Sequence, residues 1–418
     1  MVHVHGALAQ QLSARTRGVP LGELVAVPVD VGKSTAAAMA CDFAGQVIVA
    51  PFEFALNRAG VAELAARVDA RLPAAVRLVR VGVEAAGHYH RPLLADGVLP
   101  ADWQVVELNP AWVTAQRRVN GSRGIKTDGV DLAAICDLLL AGRGNLVHAP
   151  VDALVELTAW VAHRRRRVAV RSALKNQLLG QVDRCFPGLG ACLSSLLDTK
   201  AGRLVIAEFS DPARLARLGV ARFRAFAARR DVRVTGAVAQ RLVEAARQAL
   251  PTAEAAVARD VLAADLALLG DLDAQVVAAD AQIGAVLPAT RYQVLTTVPG
   301  WGPLRAAAYG AAVGDPDRWP SARQIYRAAG LTPAQYESAG RRRDGGISRE
   351  GSVELRRALL DLGVGLWHSE PVARGYAVRL RERGKPGGII ATAMARIAGR
   401  LAYAMVRDQT AYDPTLRS

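Results

Sequence analysis

The stretch LVAVPVDVGKSTAAAMACD, residues 24–42, bears most directly on the fold of this chain. An apolar run, Leu24–Val29, ends at Asp30, and the run Ser34–Cys41 can return beside it, so two neighbouring strands are predicted. The connection between them, GKST at residues 32–35, resembles a phosphate-binding P-loop. A P-loop would need a glycine where Val27 stands and a longer connection, so we exclude ATP binding.

Strands and helices alternate over the first 150 residues. This alternation is typical of an α/β sheet with helices on its faces, so we predict an α/β domain over residues 1–150. The further predicted strands are Gln46–Ala50, Val76–Val83 and Gln104–Leu108, and the predicted helices are Gly60–Arg71 and Asp128–Leu140, the latter capped by Asp128.

The remaining chain is predicted to be mainly helical. Residues 151–290 are rich in Ala, Leu and Arg, and within them Val151–Arg184 and Thr252–Val286 have the length and composition of two long helices. Such a pair suits an antiparallel, coiled-coil-like spacer with shorter helices between its arms. Residues 291–418 form a third predicted domain, which becomes Gly- and Arg-rich and then ends in helices.

The chain is strongly basic. It has 53 Lys and Arg residues against 38 Asp and Glu residues, a net charge of +15, and only five of the basic residues are Lys. Residues 291–418 alone contain 20 basic and 11 acidic residues. A solvated Arg-rich surface is the plain explanation of such a charge. Arg also pairs bidentately with phosphate, however, so nucleic acid is the leading expected partner.

Composition excludes several other classes of protein. With 51% hydrophobic and 22% charged residues, the chain is globular rather than disordered. Its apolar runs are broken by Arg, Asp or Pro before they reach membrane-spanning length, and residues 1–20 lack the apolar core of a secretory signal. The cysteines Cys41, Cys136, Cys185 and Cys192 form no CxxC pair. We therefore expect a cytoplasmic protein with reduced, unpaired thiols and no zinc ribbon.

Four acidic residues are candidates for one metal site. Asp30 and Glu84 each follow a predicted strand, and ligand chemistry in α/β sheets collects at the carboxyl ends of strands. Asp128 and Asp131 are three residues apart, a spacing that places both on one face of a helix. Four gathered carboxylates repel one another unless divalent cations neutralise them, and such oxygen-rich sites select Mg²⁺ or Mn²⁺. The alternative is that each residue merely ends a strand or caps a helix.

The segment VPGWGPLRAA, residues 298–307, resembles a helix-hairpin-helix turn. In such a turn Gly300 and Gly302 let the backbone approach a phosphate, and the following helix presents its N-terminus to the anion. An ordinary glycine-rich turn between helices is the alternative.

A second candidate segment extends from Gly330 to Gly351 and contains Ser338 and Ser348 among glycines and arginines. A serine hydroxyl in that setting can attack a phosphodiester if its proton is removed and the phosphate charge is stabilised. It can equally bond its own backbone in a polar loop. Composition alone ranks neither serine first.

These residues together resemble a known family. The ordered set of Asp30, Glu84 within VGVEAAGHYHRPL, Asn109-Pro110 and the run KTDGVD at residues 126–131 is similar to the DEDD transposases of the bacterial IS one-ten insertion-sequence family. The later segments TVPGWGPLRAA, GLTPAQYESAGRRR, GISREG and ELRRAL resemble the C-terminal transposase domain of that family. The resemblance extends over nearly the whole chain, from about residue 24 to residue 406.

The resemblance implies a fold and a chemistry. It implies an N-terminal RuvC-like, ribonuclease-H-like domain whose carboxylates Asp30, Glu84, Asp128 and Asp131 bind Mg²⁺. It also implies a mainly α-helical C-terminal domain in which Ser338 joins covalently to DNA during strand exchange. Members of the family resemble recombinases guided by a structured bridge RNA. They act as homo-oligomers, dimers or tetramers, in which different subunits supply the acidic and serine parts, and the helical middle segment would organise that assembly.

The expected function is therefore DNA transposition by site-specific recombination. One alternative is a Holliday-junction-type, Mg²⁺-dependent endonuclease that uses water as its nucleophile. The other is a non-catalytic nucleic-acid-binding protein derived from a transposase. The residues expected to hold nucleic acid are Lys126, Gly300, Gly302, Arg305, Arg341, Arg342, Arg343, Arg349, Arg356 and Arg357.

Overall fold

The structure is a computed structural model that describes residues 18–85, 87–121, 127–147, 151–338 and 341–414. For residues 335, 337, 338 and 342–344 the description is of the backbone alone. The chain forms two compact units, residues 1–149 and residues 150–418.

A mixed sheet forms the centre of the first unit. Its six strands are β1 (Leu24–Val31), β2 (Thr35–Asp42), β3 (Val47–Ala55), β4 (Leu78–Glu84), β5 (Gln104–Leu108) and β6 (Asn145–Leu146). Their order is β3-β2-β1-β4-β5-β6, with β1 parallel to β4 and β4 parallel to β5, and the other pairs antiparallel. All five strands predicted for this unit are present. The GKST segment is the turn between antiparallel β1 and β2, not a loop that leads into a helix.

The third strand continues past its predicted end at Ala50. Pro51 lies inside β3, and a proline removes one N–H donor from a strand. Because β3 is the edge strand of the sheet, one side of its backbone faces no neighbouring strand. Proline is tolerated at such edges, so the strand can run through Pro51 to Ala55.

The first unit has three described α-helices, α1 (Arg58–Asp69), α2 (Pro110–Val119) and α3 (Asp128–Leu140). α3 has the bounds that the sequence predicted, but its cap is Thr127, whose side chain accepts the N–H of Val130. The prediction that Asp128 caps this helix was therefore wrong. Asp128 lies one residue later, in the first turn, where the helix dipole also favours a carboxylate.

The sequence analysis did not predict α2. Asn109-Pro110 directly follows the predicted strand Gln104–Leu108, and these two residues begin the helix. The Asn109 side chain accepts the N–H of Ala111, and Pro110 occupies the first helical position, where a backbone N–H has no partner to lose.

The sheet has two buried faces because side chains alternate along its strands. Val25, Val27 and Val29 of β1 pack on one face in a core that includes Leu64 of α1. Leu24 and Ala26 point the other way, into a core built with Leu132, Ile135 and Leu139 of α3. Residues at even positions of β1 therefore face α3.

Close packing of α3 on the sheet depends on a glycine in β4. A Cβ atom added at Gly82 would lie 2.7 Å from the Leu139 side chain, which is closer than real side chains approach. The even-numbered residues of β4, Gly82 and Glu84 among them, share the α3 face with Asp30 of β1.

The structure corrects the expectation for the cysteines. The sulfur atoms of Cys41 in β2 and Cys136 in α3 are in disulfide contact, with their Cα atoms 7.7 Å apart. The prediction that all four thiols are unpaired was therefore wrong for these two residues. Cys185 and Cys192 are free and buried, and burial raises the pKa of both thiols.

Two long antiparallel helices form the spine of the second unit. They are α4 (Asp152–Cys185) and α8 (Ala255–Val286), close to the bounds predicted from sequence. Asp273 of α8 lies 3.1 Å from the Arg171 guanidinium of α4 and 2.6 Å from that of Arg203. Burial would raise the pKa of Asp273, but hydrogen bonds from the two arginines outweigh burial and hold that pKa below its usual range.

Three shorter helices lie between these two in the sequence. They are α5 (Lys200–Phe209), α6 (Pro212–Ala228) and α7 (Gly236–Gln248), and α6 bends at Gly219, where the backbone is not helical. Phe209, Phe223 and Leu242 belong to a core that these helices share with one end of the long pair. This core is separate from the core of the C-terminal helices.

The C-terminal part is mainly helical and contains one β-hairpin. Its core includes Tyr292, Trp301, Leu362 and Met394, together with Ile283 from the end of α8. Its elements are α9 (Pro303–Val313), α10 (Ala322–Ala328), β7 (Pro333–Ser338), β8 (Arg341–Ile347), α11 (Val353–Ser369), α12 (Pro371–Glu382) and α13 (Gly387–Asp408).

One helix in the described part of the chain, α13, is long and apolar enough to cross a membrane by length and composition. The sequence predicted that the chain ends in helices, but it predicted no apolar stretch of membrane-spanning length. Ile390, Met394 and Ala398 of α13 are buried in the C-terminal core. Core helices of soluble proteins meet the same criterion, so the finding is weak evidence for a membrane span.

Candidate catalytic and nucleic-acid-binding sites

Asp30 and Glu84 lie at the carboxyl ends of adjacent parallel strands. β1 and β4 pair with Val29 opposite Val83, and Asp30 and Glu84 are the next residue along each strand. Side chains at matching positions of parallel strands point to the same face, which here is the face covered by α3. Both residues are partly exposed. The structure thus places two of the four predicted acidic residues side by side.

Asp131 is buried and paired with an arginine. In the first turn of α3 its side chain is 1% exposed, and its Oδ1 lies 2.7 Å from Nη1 of Arg117 on α2. The other nitrogen of that guanidinium, Nη2, donates to Thr114 Oγ1 at 3.0 Å. Asp128, three residues earlier, is exposed. The spacing predicted a common face, but the two carboxylates lie in different surroundings.

The donor chemistry of these residues suits a hard divalent cation, which prefers carboxylate oxygens. Among the described residues, however, no group of three or more His, Cys, Asp or Glu side chains is close enough to hold a metal ion. Asp30 and Glu84 fit such a site by their placement. To bind a cation, Asp131 would have to break its ion pair with Arg117. The four-carboxylate metal site therefore stays a prediction.

The turn at Gly300–Gly302 is packed tightly against α11. Gly300 has a φ of +82°, and a Cβ atom there would lie 2.3 Å from the carbonyl oxygen of Gly365. The Trp301 side chain is buried, and its Nε1 donates to the carbonyl oxygen of Leu362 at 2.8 Å. These contacts fix the turn from which α9 begins.

Of the predicted phosphate contacts in this turn, Gly302 is exposed at the start of α9. Arg305 is engaged within the protein. Its Nη1 donates to the carbonyl oxygen of Gly300 at 2.9 Å, and its Nε lies 3.1 Å from Asp361 Oδ1. Gly300 and Arg305 thus have structural partners here.

We predict that Gly300→Ala destabilises the second unit. The substitution forces a left-handed backbone on a residue with a side chain and drives its Cβ into α11, at an expected cost of about 3 kcal/mol. Chemical unfolding followed by circular dichroism measures the change. Gly302→Ala is the matched control, because its φ is −71° and no heavy atom lies within 4 Å of the added Cβ. Equal unfolding midpoints for the two variants would contradict this account of the turn.

Ser338 and Ser348 lie near opposite ends of a β-hairpin that the sequence analysis did not predict. Ser338 pairs with Arg341 where β7 ends, beside the turn. Ser348 follows β8 at the base of the hairpin, where its N–H donates to the carbonyl oxygen of Thr332 at 2.9 Å. Arg341 and Ser348 are seven positions apart along extended chain, which is roughly 20 Å. A single phosphate therefore cannot contact both positions.

The predicted arginines divide between this hairpin and its base. Arg341 is exposed on β8, and Arg342 and Arg343 pair through their backbones with Glu337 and Tyr336. The side chains of Arg342, Arg343 and Ser338 lie outside the described part of the chain, and so does the whole of Lys126.

At the base of the hairpin, the Arg356 side chain makes structural hydrogen bonds to the backbone. Its Nη1 donates to the carbonyl oxygens of Ala329 and Arg349, each at 3.1 Å, and so ties α11 to the segments that flank the hairpin. Arg349 and Arg357 are exposed. The exposed pair, rather than Arg356, is open to a partner at this end.

Sequence analysis missed Arg117 because it missed α2. A helix predicted from Pro110 onward would have placed Arg117 on the helix that precedes α3 in the sequence. Its guanidinium would then have been a candidate partner for the acidic residues in the first turn of α3. It also missed Arg80, which alternation in VRLVRVGVE places on the same face of β4 as Glu84. Arg80 is fully buried and donates to Gln104 Oε1 at 2.9 Å.

Comparison with known proteins gives the class of this chain. Residues 27–187 match a family model described as transposase, and residues 292–377 match a model described as transposase of the IS116/IS110/IS902 family. Two matches in this order make the chain a transposase. It belongs to the IS110/IS116 family of insertion-sequence transposases, as the resemblance in its sequence indicated.

Relatives from several bacteria cover most of the chain. A 43.6 kDa protein of insertion element IS110 from Streptomyces coelicolor is 28% identical over 69% of this chain and 72% of its own length. A 44.8 kDa protein of insertion element IS116 from Streptomyces clavuligerus is 29% identical over 80% of this chain and 84% of its own. A probable family 20 transposase from Pseudomonas aeruginosa is 26% identical over 70% of this chain and 75% of its own. The predicted family is confirmed, and the individual site residues stay predictions.

Proposed function

We propose that this transposase cuts and rejoins DNA by site-specific recombination, with Mg²⁺ at acidic residues of the first unit and a serine nucleophile in the second. The observation that carries the proposal is the placement of Asp30 and Glu84 at the carboxyl ends of parallel strands β1 and β4. The sheet order supports a RuvC-like, ribonuclease-H-like domain over residues 1–150. A helical spacer over residues 151–290 and a transposase domain over residues 291–418 complete the proposed organisation.

The acidic residues would hold and neutralise the reacting phosphate through the cation. Asp30 and Glu84 would be the central ligands, with Asp128 and Asp131 joining from the first turn of α3. A bound divalent cation supplies charge neutralisation at the phosphate and at the leaving oxygen. The contribution of the chain is to fix two carboxylates on adjacent strands of a buried sheet, so that little ordering remains to be done during the reaction.

Ser338 would form the covalent link to DNA. Its hydroxyl oxygen attacks the phosphorus, a Ser–phosphate bond forms, and the bond to the deoxyribose oxygen breaks. The serine proton is removed and the departing oxygen leaves as a hydroxyl, so the step needs no oxidant or external energy source. Rejoining is the reverse reaction with a different strand end. The position of Ser338 beside the turn of a two-stranded hairpin supports this role.

Arginines near the serine would hold the DNA backbone. Arg341 is exposed on β8, and Arg342 and Arg343 follow it in the same strand. Arg349 and Arg357 are exposed at the base of the hairpin. Guanidinium groups pair bidentately with phosphate and stabilise the charge that develops as the serine attacks. The N-terminus of α9 at Gly302 is a further backbone contact in this proposal.

The proposal extends to partners and assembly. Donor and target DNA would be selected by a structured RNA, and a homo-oligomer, dimer or tetramer, would bring acidic and serine parts together. The antiparallel pair α4–α8 supports a coiled-coil spacer that organises this assembly. Because its DNA substrate and its RNA partner are both bacterial nucleic acids, the site of action would be the cytoplasm.

Removal of divalent metal tests the proposal. Purified protein, labelled donor DNA and RNA transcribed from the flank of the element are incubated with Mg²⁺ or with EDTA. We expect EDTA to lower the rate of strand cleavage by at least about 10³-fold and Mg²⁺ to restore it. DNA binding measured in EDTA should persist, because arginines supply most of the affinity. Cleavage that continues in EDTA would contradict the metal-dependent mechanism.

A further inference from the structure

The α6–α7 hairpin of the second unit has an unusual concentration of charge. The 36 residues from Pro212 to Arg247 contain nine arginines and only two acidic residues, Asp231 and Glu244. This is about one basic residue in four, against 53 in 418 for the whole chain. A general excess of arginine cannot account for a local doubling. The hairpin also lies between the two family matches, which end at residue 187 and resume at residue 292.

Three arginines from three helices converge on one groove of this region. The groove has a volume of about 570 Å³ and is lined by Arg217 of α6, Arg247 of α7 and Arg259 of α8. Most of its other lining residues are alanine or proline, with Leu250 exposed at one side. Because most of the other lining side chains are small, the space beside the three arginines is open to a ligand.

Three arginines and one aspartate line the groove, so its lining keeps a net positive charge. In the part of the chain that the structure describes, Arg217 and Arg259 have no carboxylate oxygen within 4 Å, and Arg247 has one, at 3.5 Å, on Glu244 of its own helix. Asp211 also lines the groove, but its carboxylate accepts the N–H of Ala213 at 3.0 Å and so caps α6. An exposed pair such as Arg247–Glu244 is worth little and is exchanged readily for a stronger anion.

We propose that this groove binds the phosphodiester backbone of double-stranded DNA. The inference rests on the proposed function, which makes DNA the substrate of the chain. None of the described residues that line the groove is aromatic, so the groove has no platform on which an unpaired base could stack. Sequence-specific recognition of RNA relies largely on such stacking of unpaired bases in loops, bulges and ends. Arginines around a floor of small residues instead suit contacts to the phosphates of a duplex, which position the protein without reading sequence.

A salt titration of DNA binding tests the proposal. Binding of the full-length protein to a labelled duplex of about 30 base pairs is measured by fluorescence anisotropy between about 50 and 200 mM KCl. The groove variant carries Arg217→Gln, Arg247→Gln and Arg259→Gln. The control variant carries Arg58→Gln, Arg67→Gln and Arg71→Gln, three exposed arginines of the first unit, so both variants lose the same net charge.

We expect the groove variant to bind the duplex at least about tenfold more weakly at 100 mM KCl, and its logarithmic salt dependence to be shallower by about 2–3. The control should keep the slope of the parent protein. If both variants lose the same affinity, net charge alone explains the effect and the proposal is overturned. Unchanged duplex binding by the groove variant would also overturn it. If the triple variant unfolds, Arg217→Gln alone should still lower the slope by about one.

Two further measurements distinguish DNA binding at the groove from RNA binding and from the catalytic proposal. A duplex RNA of the same length is titrated in parallel, and a groove variant that loses RNA affinity while it keeps DNA affinity would overturn the choice of DNA. Strand cleavage is assayed at saturating protein. A groove variant that binds the duplex weakly but still cleaves it at saturating protein would support a binding role for the groove. Loss of cleavage in Asp30→Asn with normal duplex binding would concern only the proposed catalytic site.

Discussion

Asp30→Asn is expected to lower the rate of DNA strand cleavage by at least about 10³-fold, a loss of about 4 kcal/mol in transition-state stabilisation. Asparagine keeps the size of aspartate and one oxygen acceptor but removes the negative charge that would hold a divalent cation. Asp30 lies beside Glu84 on the α3 face of the sheet, so its neutralisation changes the centre of the proposed acidic site. Rates of cleavage of labelled donor DNA, with Mg²⁺ present, measure the effect.

The matched control for this variant is Asp42→Asn. Asp42 lies in β2 opposite Val25, at the other end of β1 from Asp30, and its carboxylate accepts the N–H of Gln46 in a turn. Asparagine can keep that hydrogen bond, so cleavage should stay within a factor of about two of the parent rate. DNA affinity should be unchanged in both variants. An Asp30→Asn protein that cleaves at the parent rate would remove Asp30 from the mechanism.

Ser338→Ala is expected to abolish strand joining, because the covalent route then has no nucleophile. Removal of an attacking oxygen leaves no alternative within the same geometry, so recombinant product should fall by at least about 10³-fold. Folding should be unaffected, since alanine is tolerated at the end of an exposed hairpin strand. The amount of recombinant product, measured by quantitative amplification across the new junction, is the readout.

Ser348→Ala is the control for this second variant, because the hairpin holds the two serines far apart. Ser348 lies at the base of the hairpin, roughly 20 Å along β8 from the position paired with Ser338. A DNA strand placed to react with one serine is therefore out of reach of the other. Recombination that survives in Ser338→Ala and disappears in Ser348→Ala would move the nucleophile to the base of the hairpin.

Much of the first unit could be predicted from sequence because its strands are short apolar runs that end at charged or turn residues. β1 and β4 end at or within one residue of Asp30 and Glu84, and α3 has its predicted bounds. The antiparallel helix pair could be predicted because uninterrupted Ala/Leu/Arg segments of more than 30 residues leave few other structures open.

The elements that could not be predicted depend on interactions that local pattern does not show. α2 begins at Asn109-Pro110, a pair that ends strands as readily as it begins helices. The β7–β8 hairpin consists of PAQYES in β7 and the Arg- and Gly-rich RRRDGGI in β8, neither of which has the apolar alternation of a typical strand, and only the backbone pairing of the two strands defines it. The contact between Cys41 and Cys136 joins residues 95 positions apart, a separation that sequence spacing does not address.

The candidate site shows the same division. Adjacent parallel strands place Asp30 and Glu84 together, and the order of predicted strands was enough to suggest this. The pairing of Asp131 with Arg117 was not predictable once α2 was missed, although it decides what the third carboxylate contacts. The structural roles of Gly300, Arg305 and Arg356 are likewise contacts to α11 or to backbone carbonyls, which composition cannot distinguish from contacts to phosphate.

A trap for the covalent intermediate tests the central claim most directly. Protein, Mg²⁺, RNA transcribed from the flank of the element and labelled donor DNA are mixed, denatured and separated on a gel. We predict a labelled protein–DNA band for the parent protein and for Ser348→Ala, and no such band for Ser338→Ala or Asp30→Asn. Cleaved DNA without any protein–DNA band would contradict the account, because it would show a metal-dependent nuclease that uses water and leaves Ser338 without a chemical role.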